Sequence, residues 1–244
     1  VLLLLFSQAM AEKVVDDQSL TLFSGVPCFE FHAFVRDATQ LAPGRACFVC
    51  KSLGKAKGCR PFARGVLEAR RGERWRVRYG DGSSFDVREA NVVPVLEAGL
   101  LACATTDAYR LLARTQLRPT DRAVEIGCDR GEACKKLAMA AATVVGIDKA
   151  QCRIDEARAN CSGLANLRFQ TADLFHYDLA RLDADVIFLD INGSREYDTV
   201  RAAVLALLAD CRPRLLVVKS QQFVQRHFPS AEHHAPSFSE HRRE

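Results

Sequence analysis

Five short stretches of this chain, four of them apolar, each stop at a residue that can do chemistry. VEIGCDRG (124–131) runs into glycines and acids, VVGID ends at Asp148, TAD at Asp173, VIFLD at Asp190 and LLVVK at Lys219. Gly127 and Gly131 at a strand-to-helix turn let a ligand approach the backbone, and the helix that follows offers unpaired N–H groups. Asp148 comes 21 residues after Gly127, at the next strand end, where a carboxylate can accept hydrogen bonds from both hydroxyls of a ribose. Singly, a glycine turn is only a tight turn, and Asp148 or Asp173 is a helix N-cap. Together, at successive strand ends, they read as a nucleoside site. A dinucleotide fingerprint would need glycine at 127, 129 and 132, but positions 129 and 132 hold Asp129 and Glu132, which disfavours a dehydrogenase.

These groups converge only if the runs are neighbouring strands. Strands are expected at 123–126, 143–147, 167–170, 186–189 and 215–218, with helices at 96–115, 132–141, 151–161 and 196–210. The alternation predicts an α/β fold over 97–244, a Rossmann-like, mostly parallel sheet with helices on both faces. Residues 43–96 read instead as short strands. Trp75, Val77 and Tyr79 alternate with Arg74, Arg76 and Arg78, and Gly80-Asp81-Gly82 is a hairpin turn, so a small β-barrel is expected. Residues 1–42 are mixed and receive no function.

The α/β part resembles the class I S-adenosylmethionine-dependent methyltransferases from about Ala104 to Ser220. VEIGCDRG looks like their first motif, with Asp129 in place of the middle glycine. The resemblance implies S-adenosylmethionine as cofactor. Glu125, Gly127, Asp129 and Gly131 would lie around it, with Glu125 at the methionine end, Asp148 on the ribose and Asp173 near the adenine amino group. Asp190 would stand where substrate meets the methyl group. Asp190 with Lys219 also resembles part of the Lys-Asp-Lys-Glu tetrad of RNA ribose 2′-O-methyltransferases, which makes both candidate catalytic residues. The tetrad's first lysine would fall at Arg110, which stays protonated and is a poor base, and no partner for the glutamate is evident. The family's closing hairpin of strands six and seven needs more chain than follows 218, so a truncated sheet is expected. The terminal histidines, His227, His233, His234 and His241, read as a frayed tail.

Charge separates the units. Residues 45–88 hold twelve Lys or Arg against four acids, while the whole chain carries 34 against 30. A polyanionic partner, RNA above all, is expected on Arg70, Arg71, Arg74, Arg76 and Arg78, aided by Lys51, Lys55 and Lys57. This stretch resembles a Tudor or Agenet-type SH3-like barrel, in which Trp75, Tyr79, Phe62 and Phe85 could form a cage for methylated side chains. The alternation assigns Trp75 and Tyr79 to the core instead. A zinc site on Cys47, Cys50 and Cys59 lacks the second cysteine pair a ribbon needs, so no metal is expected. The ten cysteines suit reduced thiols in an intracellular protein. No apolar run reaches the roughly 18 residues of a membrane span. Two functions follow: a methyltransferase acting on nucleic acid, or a reader or scaffold whose methyltransferase-like part is inert.

Overall fold

The computed structural model describes residues 25–50, 63–191 and 197–229. The chain opens with β1 (Cys28–Glu30) and α1 (Phe31–Arg36), then runs through β2 (Ala46–Val49), β3 (Ala63–Arg71), β4 (Arg74–Tyr79), β5 (Ser84–Arg88) and β6 (Val92–Pro94). It continues as β7 (Gly99–Cys103), α2 (Thr106–Thr115), β8 (Arg122–Ile126), α3 (Glu132–Ala138), β9 (Thr143–Asp148), α4 (Gln151–Asn160) and β10 (Leu167–Thr171). The last elements are β11 (Val186–Leu189), α5 (Tyr197–Ala206), β12 (Leu215–Lys219) and α6 (Gln221–His227).

Seven strands form one sheet in the order β1-β7-β12-β11-β8-β9-β10, and every neighbouring pair is parallel. Helices cover both faces, so the central strands are apolar on both sides. Val186–Leu189 is buried at all four positions. Ala123, Phe188 and Val217 pack with α2 and α3 on one face. Val124, Ile187 and Val218 pack with α5 and α6 on the other. The five expected strands are present, each to within a residue.

Two expectations are corrected. The run at 96–103 was expected to be helical, but Gly99–Cys103 is strand β7, buried at every position. A short continuous apolar run fits a doubly covered strand as well as a buried helix. The sheet is also not truncated on the side where a closing hairpin was expected. Pairing of Leu101 with Val217 places β7 beside β12, and pairing of Phe29 with Leu101 adds β1. β1 and α1, residues 28–36, thus join the body of the large sheet.

β2–β6 form a five-stranded antiparallel sheet, order β5-β4-β3-β2-β6, inserted between α1 and β7. Among the described residues no ladder joins β5 to β6. Trp75, Val77 and Tyr79 are buried with Leu67, Val87 and Val92, as the alternation requires. The insert is tied to the amino-terminal edge of the large sheet. Buried Gln116 accepts the Leu96 N–H at 2.8 Å and donates to the Pro94 carbonyl at 2.9 Å. Arg214, just before β12, pairs with buried Asp121 and donates to the carbonyls of Leu96, Glu97 and Gln116. No helix among the described residues is long and apolar enough to cross a membrane.

Candidate functional site

All strands of the large sheet point the same way, so their carboxyl ends share one edge. The chain order reverses between β8 and β11, and such switch points leave a crevice for a ligand. A cavity of about 500 Å³ opens there, lined by Gly127, Asp129, Asp148, Asp173, Asp190 and Lys219 among others. That volume suits a nucleoside-sized ligand.

The glycine turn is built by close packing. Gly127 has φ +84°, and a Cβ there would lie 1.9 Å from the Asp190 carbonyl oxygen. A side chain would push the ends of β8 and β11 apart. Asp129 follows in the left-handed region at φ +44°, an uncommon conformation for a non-glycine residue. Its N–H donates to Asp148 Oδ2 at 3.0 Å, and the Ala150 N–H donates to Asp148 Oδ1 at 2.9 Å. The carboxylate is fixed, yet each oxygen keeps accepting capacity for a ribose hydroxyl.

Asp173 caps a short turn, accepting the Phe175 N–H at 3.1 Å, and also faces the cavity. Phe175, half exposed, lines the same wall with Leu174 and Ala172. An exposed aromatic ring beside a carboxylate suits a flat base with an amino edge. Sequence reading passed over Phe175, although its place two residues after Asp173 was visible. It also missed Arg153, whose Nε lies 3.2 Å from Asp129 Oδ1 across the ribose end of the cavity.

At the far end, Lys219 Nζ donates to Asp190 Oδ2 at 2.6 Å, and both side chains are nearly buried. Lys219 also lies over the Tyr109 ring, 5.8 Å from its centroid. Asn192 and Gly193, which follow Asp190, lie outside the described residues.

Glu125 and Gly131 do not line the cavity. Glu125 is 2% exposed and sits beneath the loop. The Tyr109 hydroxyl donates to it at 3.3 Å and the Cys134 thiol at 2.9 Å. Burial pushes its carboxyl up to about 8. Gly131, at φ +81°, begins α3, where a Cβ would stand 2.9 Å from Cys161 Sγ and 3.0 Å from the Phe169 ring. Both residues shape the loop from below. Arg110 lies on α2 near Glu132 and Lys136, also away from the cavity lining.

The strand arginines alternate with the core, and four of the five pair with acids of the insert, two of them sharing Asp86. Arg70 pairs with Glu89, Arg71 and Arg76 with Asp86, and Arg78 with Glu68, while Arg74 donates to the Asp86 carbonyl. Trp75 and Tyr79 are core residues, and Phe85 stands 41% exposed. Phe62, Lys51, Lys55, Lys57 and Cys59 lie outside the described residues. Burial pushes the Cys47 and Cys50 thiols up to about 12 and about 11. His227 is not part of a frayed tail: it ends α6 and bonds the Tyr197 hydroxyl at 2.8 Å. His233, His234 and His241 lie outside the described residues.

Residues 117–228 match the family model described as a methyltransferase domain. No curated protein matches the chain in sequence. Among solved structures, the chain is similar to a dimethyladenosine transferase from Plasmodium falciparum, with 23% identity over 50% of this chain and 44% of that one, TM-score 0.42. It is similar to the 23S rRNA methyltransferase ErmE, with 18% identity over 50% and 48% of the two chains, TM-score 0.41. A Haemonchus contortus phosphoethanolamine N-methyltransferase, solved with phosphoethanolamine and S-adenosylhomocysteine, shows 20% identity over 44% and 22%, TM-score 0.37. The chain spans less than half the length of each of these proteins.

Proposed function

We propose that this chain transfers a methyl group to an acceptor seated at the Asp190–Lys219 end of the cavity. The domain over 117–228 is an S-adenosylmethionine-dependent methyltransferase domain, and S-adenosylmethionine is its cofactor. When bound, that cofactor supplies an electrophilic methyl group on a sulfonium. The cavity fits it: the fixed Asp148 carboxylate suits the ribose hydroxyls, Asp173 and Phe175 suit the adenine, and the packed Gly127 turn lets the ligand approach the backbone.

The observation that carries the proposal is the pairing of Asp190 with Lys219 on the wall opposite the nucleoside end. Methyl transfer asks a protein mainly for alignment and for removal of the acceptor's proton. Asp190 can accept a hydrogen bond from an acceptor hydroxyl or amine and take its proton, and Lys219, bonded to it at 2.6 Å, keeps it aimed. Calorimetric titration of S-adenosylmethionine into wild type and Asp148→Ala tests the cofactor half. Micromolar binding that the substitution weakens supports it, and the absence of heat from folded protein sinks it.

For the acceptor we favour a nucleic acid, with RNA first. The inserted sheet, Tudor- or SH3-like in our reading, would act as its anchor. The carboxylates that neutralise Arg70, Arg71, Arg76 and Arg78 are themselves exposed or half-buried, so phosphates can compete with them. The insert stands at the edge opposite the cavity, so only a long acceptor reaches both.

A further inference from the structure

Taking the Asp190–Lys219 reading of the acceptor end as its premise, we infer that Tyr109 is a positioning residue for methyl transfer. Its ring holds the Lys219 ammonium against Asp190 from below, and its hydroxyl moors the ring to Glu125. Three observations converge on it.

The first is the face of the sheet. Leu101, Val217, Phe188 and Glu125 stand side by side in register across β7, β12, β11 and β8. Side chains two residues apart on a strand share a face, so Lys219 rises from the same face as Val217, one step nearer the carboxyl edge. Asp190 is bonded to it there. This is the face on which α2 packs, and Tyr109 lies in the first turn of that helix, 1% exposed. The helix thus brings one aromatic side chain beneath the pair.

The second is the set of contacts around that ring. Lys219 Nζ lies over it, 5.8 Å from the centroid, within the reach of a cation–π attraction. The ring meets Phe188 edge-on, with centroids 5.3 Å apart and planes at 75°. Its hydroxyl donates to Glu125 Oε1 at 3.3 Å, and Glu125 is held in turn by the Cys134 thiol at 2.9 Å. Burial raises the phenol's pKa well above its ordinary value, so the hydroxyl keeps the proton it donates.

The third is how little else holds Lys219. An ammonium carries three N–H donors on a flexible four-carbon stem. Among the described residues Asp190 is its only hydrogen-bond partner, and its side chain is 18% exposed. One bond to one carboxylate leaves the stem able to swing toward the cavity mouth. The ring face opposes that swing by attracting the charge inward. Tyr109 does not line the cavity, so it acts on the reaction through Lys219.

The test begins without an acceptor. In the full chain labelled with carbon-13 at lysine Cε, the Lys219 signal is identified by its loss in Lys219→Met. Wild type should show the two Hε protons of Lys219 resolved, as for a held side chain, rather than merged as in solvated lysines. Tyr109→Phe keeps the ring and should keep them resolved, whereas Tyr109→Leu should merge them. A merged signal in wild type, or a resolved one in Tyr109→Leu, overturns the inference. Thermal melts and S-adenosylhomocysteine calorimetry check the fold and the cofactor site of each variant. Should Tyr109→Leu fail to fold, trifluorophenylalanine in place of Tyr109 carries the same expectation, since it keeps the ring's size and removes the electron density of its face.

Methyl transfer from radiolabelled S-adenosylmethionine to unmodified transcribed RNA then reads the consequence. Tyr109→Leu should lower kcat about tenfold, within what a buried cation–π contact supplies, and leave KM for S-adenosylmethionine unchanged. Tyr109→Phe should restore most of the rate. In the Lys219→Met background, Tyr109→Leu should cost nothing further. An equal loss in both backgrounds makes Tyr109 merely structural and overturns the inference, as does a full rate in Tyr109→Leu beside a slowed Lys219→Met. Full rates in both variants overturn the premise, the role of the Asp190–Lys219 pair. Wild type that transfers nothing to RNA overturns the RNA acceptor, and the lysine spectra then decide on Tyr109.

Discussion

Lys219 Nζ and Asp190 Oδ2 stand 2.6 Å apart at the ends of adjacent parallel strands, β12 and β11. The two side chains are 18% and 19% exposed, enough to be reached from the cavity and sheltered enough for the pair to be strong. Removing either partner leaves the other charge unpaired in a half-dry site, so the variants should act on turnover. Asp190→Asn and Lys219→Met should each lower the methyl-transfer rate by about 10²–10⁴-fold, the usual range for a positioned acid–base group. Affinity for S-adenosylhomocysteine should change little. A kinetic and calorimetric comparison of both variants checks the split, and a rate within a few-fold of wild type would remove the pair from the mechanism.

Asp148 has two tasks, holding the loop through the N–H groups of Asp129 and Ala150 and offering oxygens to the cavity. Asp148→Ala should weaken S-adenosylmethionine binding by about 1–3 kcal/mol, the scale of a lost charge-assisted hydrogen bond. Asp148→Asn keeps one acceptor and should fall between the two. Titration calorimetry reads both.

Glu125 predicts a pH dependence of stability. Its carboxyl is raised from the usual 4.5 to about 8, first by burial. Between those values the folded protein holds a proton that the unfolded chain has released. Stability is therefore full below about pH 4.5 and declines as pH rises toward 8, by at most about 1.4 kcal/mol per unit. Urea unfolding at several pH values should show that decline in wild type and its reduction in Glu125→Gln. Parallel curves for the two proteins would mean that Glu125 is ionised in the fold.

The two glycines of the loop should differ in severity. Gly127→Ala places a methyl 1.9 Å from backbone oxygen, which must separate β8 from β11. Gly131→Ala meets only the Cys161 and Phe169 side chains, at 2.9 and 3.0 Å, and adds the strain of φ +81°. The second should cost about 1–3 kcal/mol, and the first should cost more and abolish cofactor binding. Thermal melts and calorimetry on both variants test the order.

Local pattern alone determined much of this protein. Strands β8, β9, β11 and β12 are rich in apolar residues and bounded by turn residues, and the acids at the strand ends fall on one edge because parallel strands must end together. The alternation of Trp75, Val77 and Tyr79 with arginines likewise settled which face of β4 is buried. The rest depends on contacts distant in sequence. β7 is apolar without a period, so only its place between β1 and β12 makes it a strand. β1 is three residues long and has no local signal; its pairing with β7, some seventy residues later, fixes it. Glu125 reads as a cavity acid from its motif, but β8 alternates, and the pleat turns Glu125 beneath the loop toward Tyr109 and Cys134. The arginines of β3 and β4 read as free charge until the register brings Glu68, Asp86 and Glu89 beside them. Sequence sets the period of an element and the chemistry at its ends, whereas neighbours, pairings and burial arise only when the chain closes on itself.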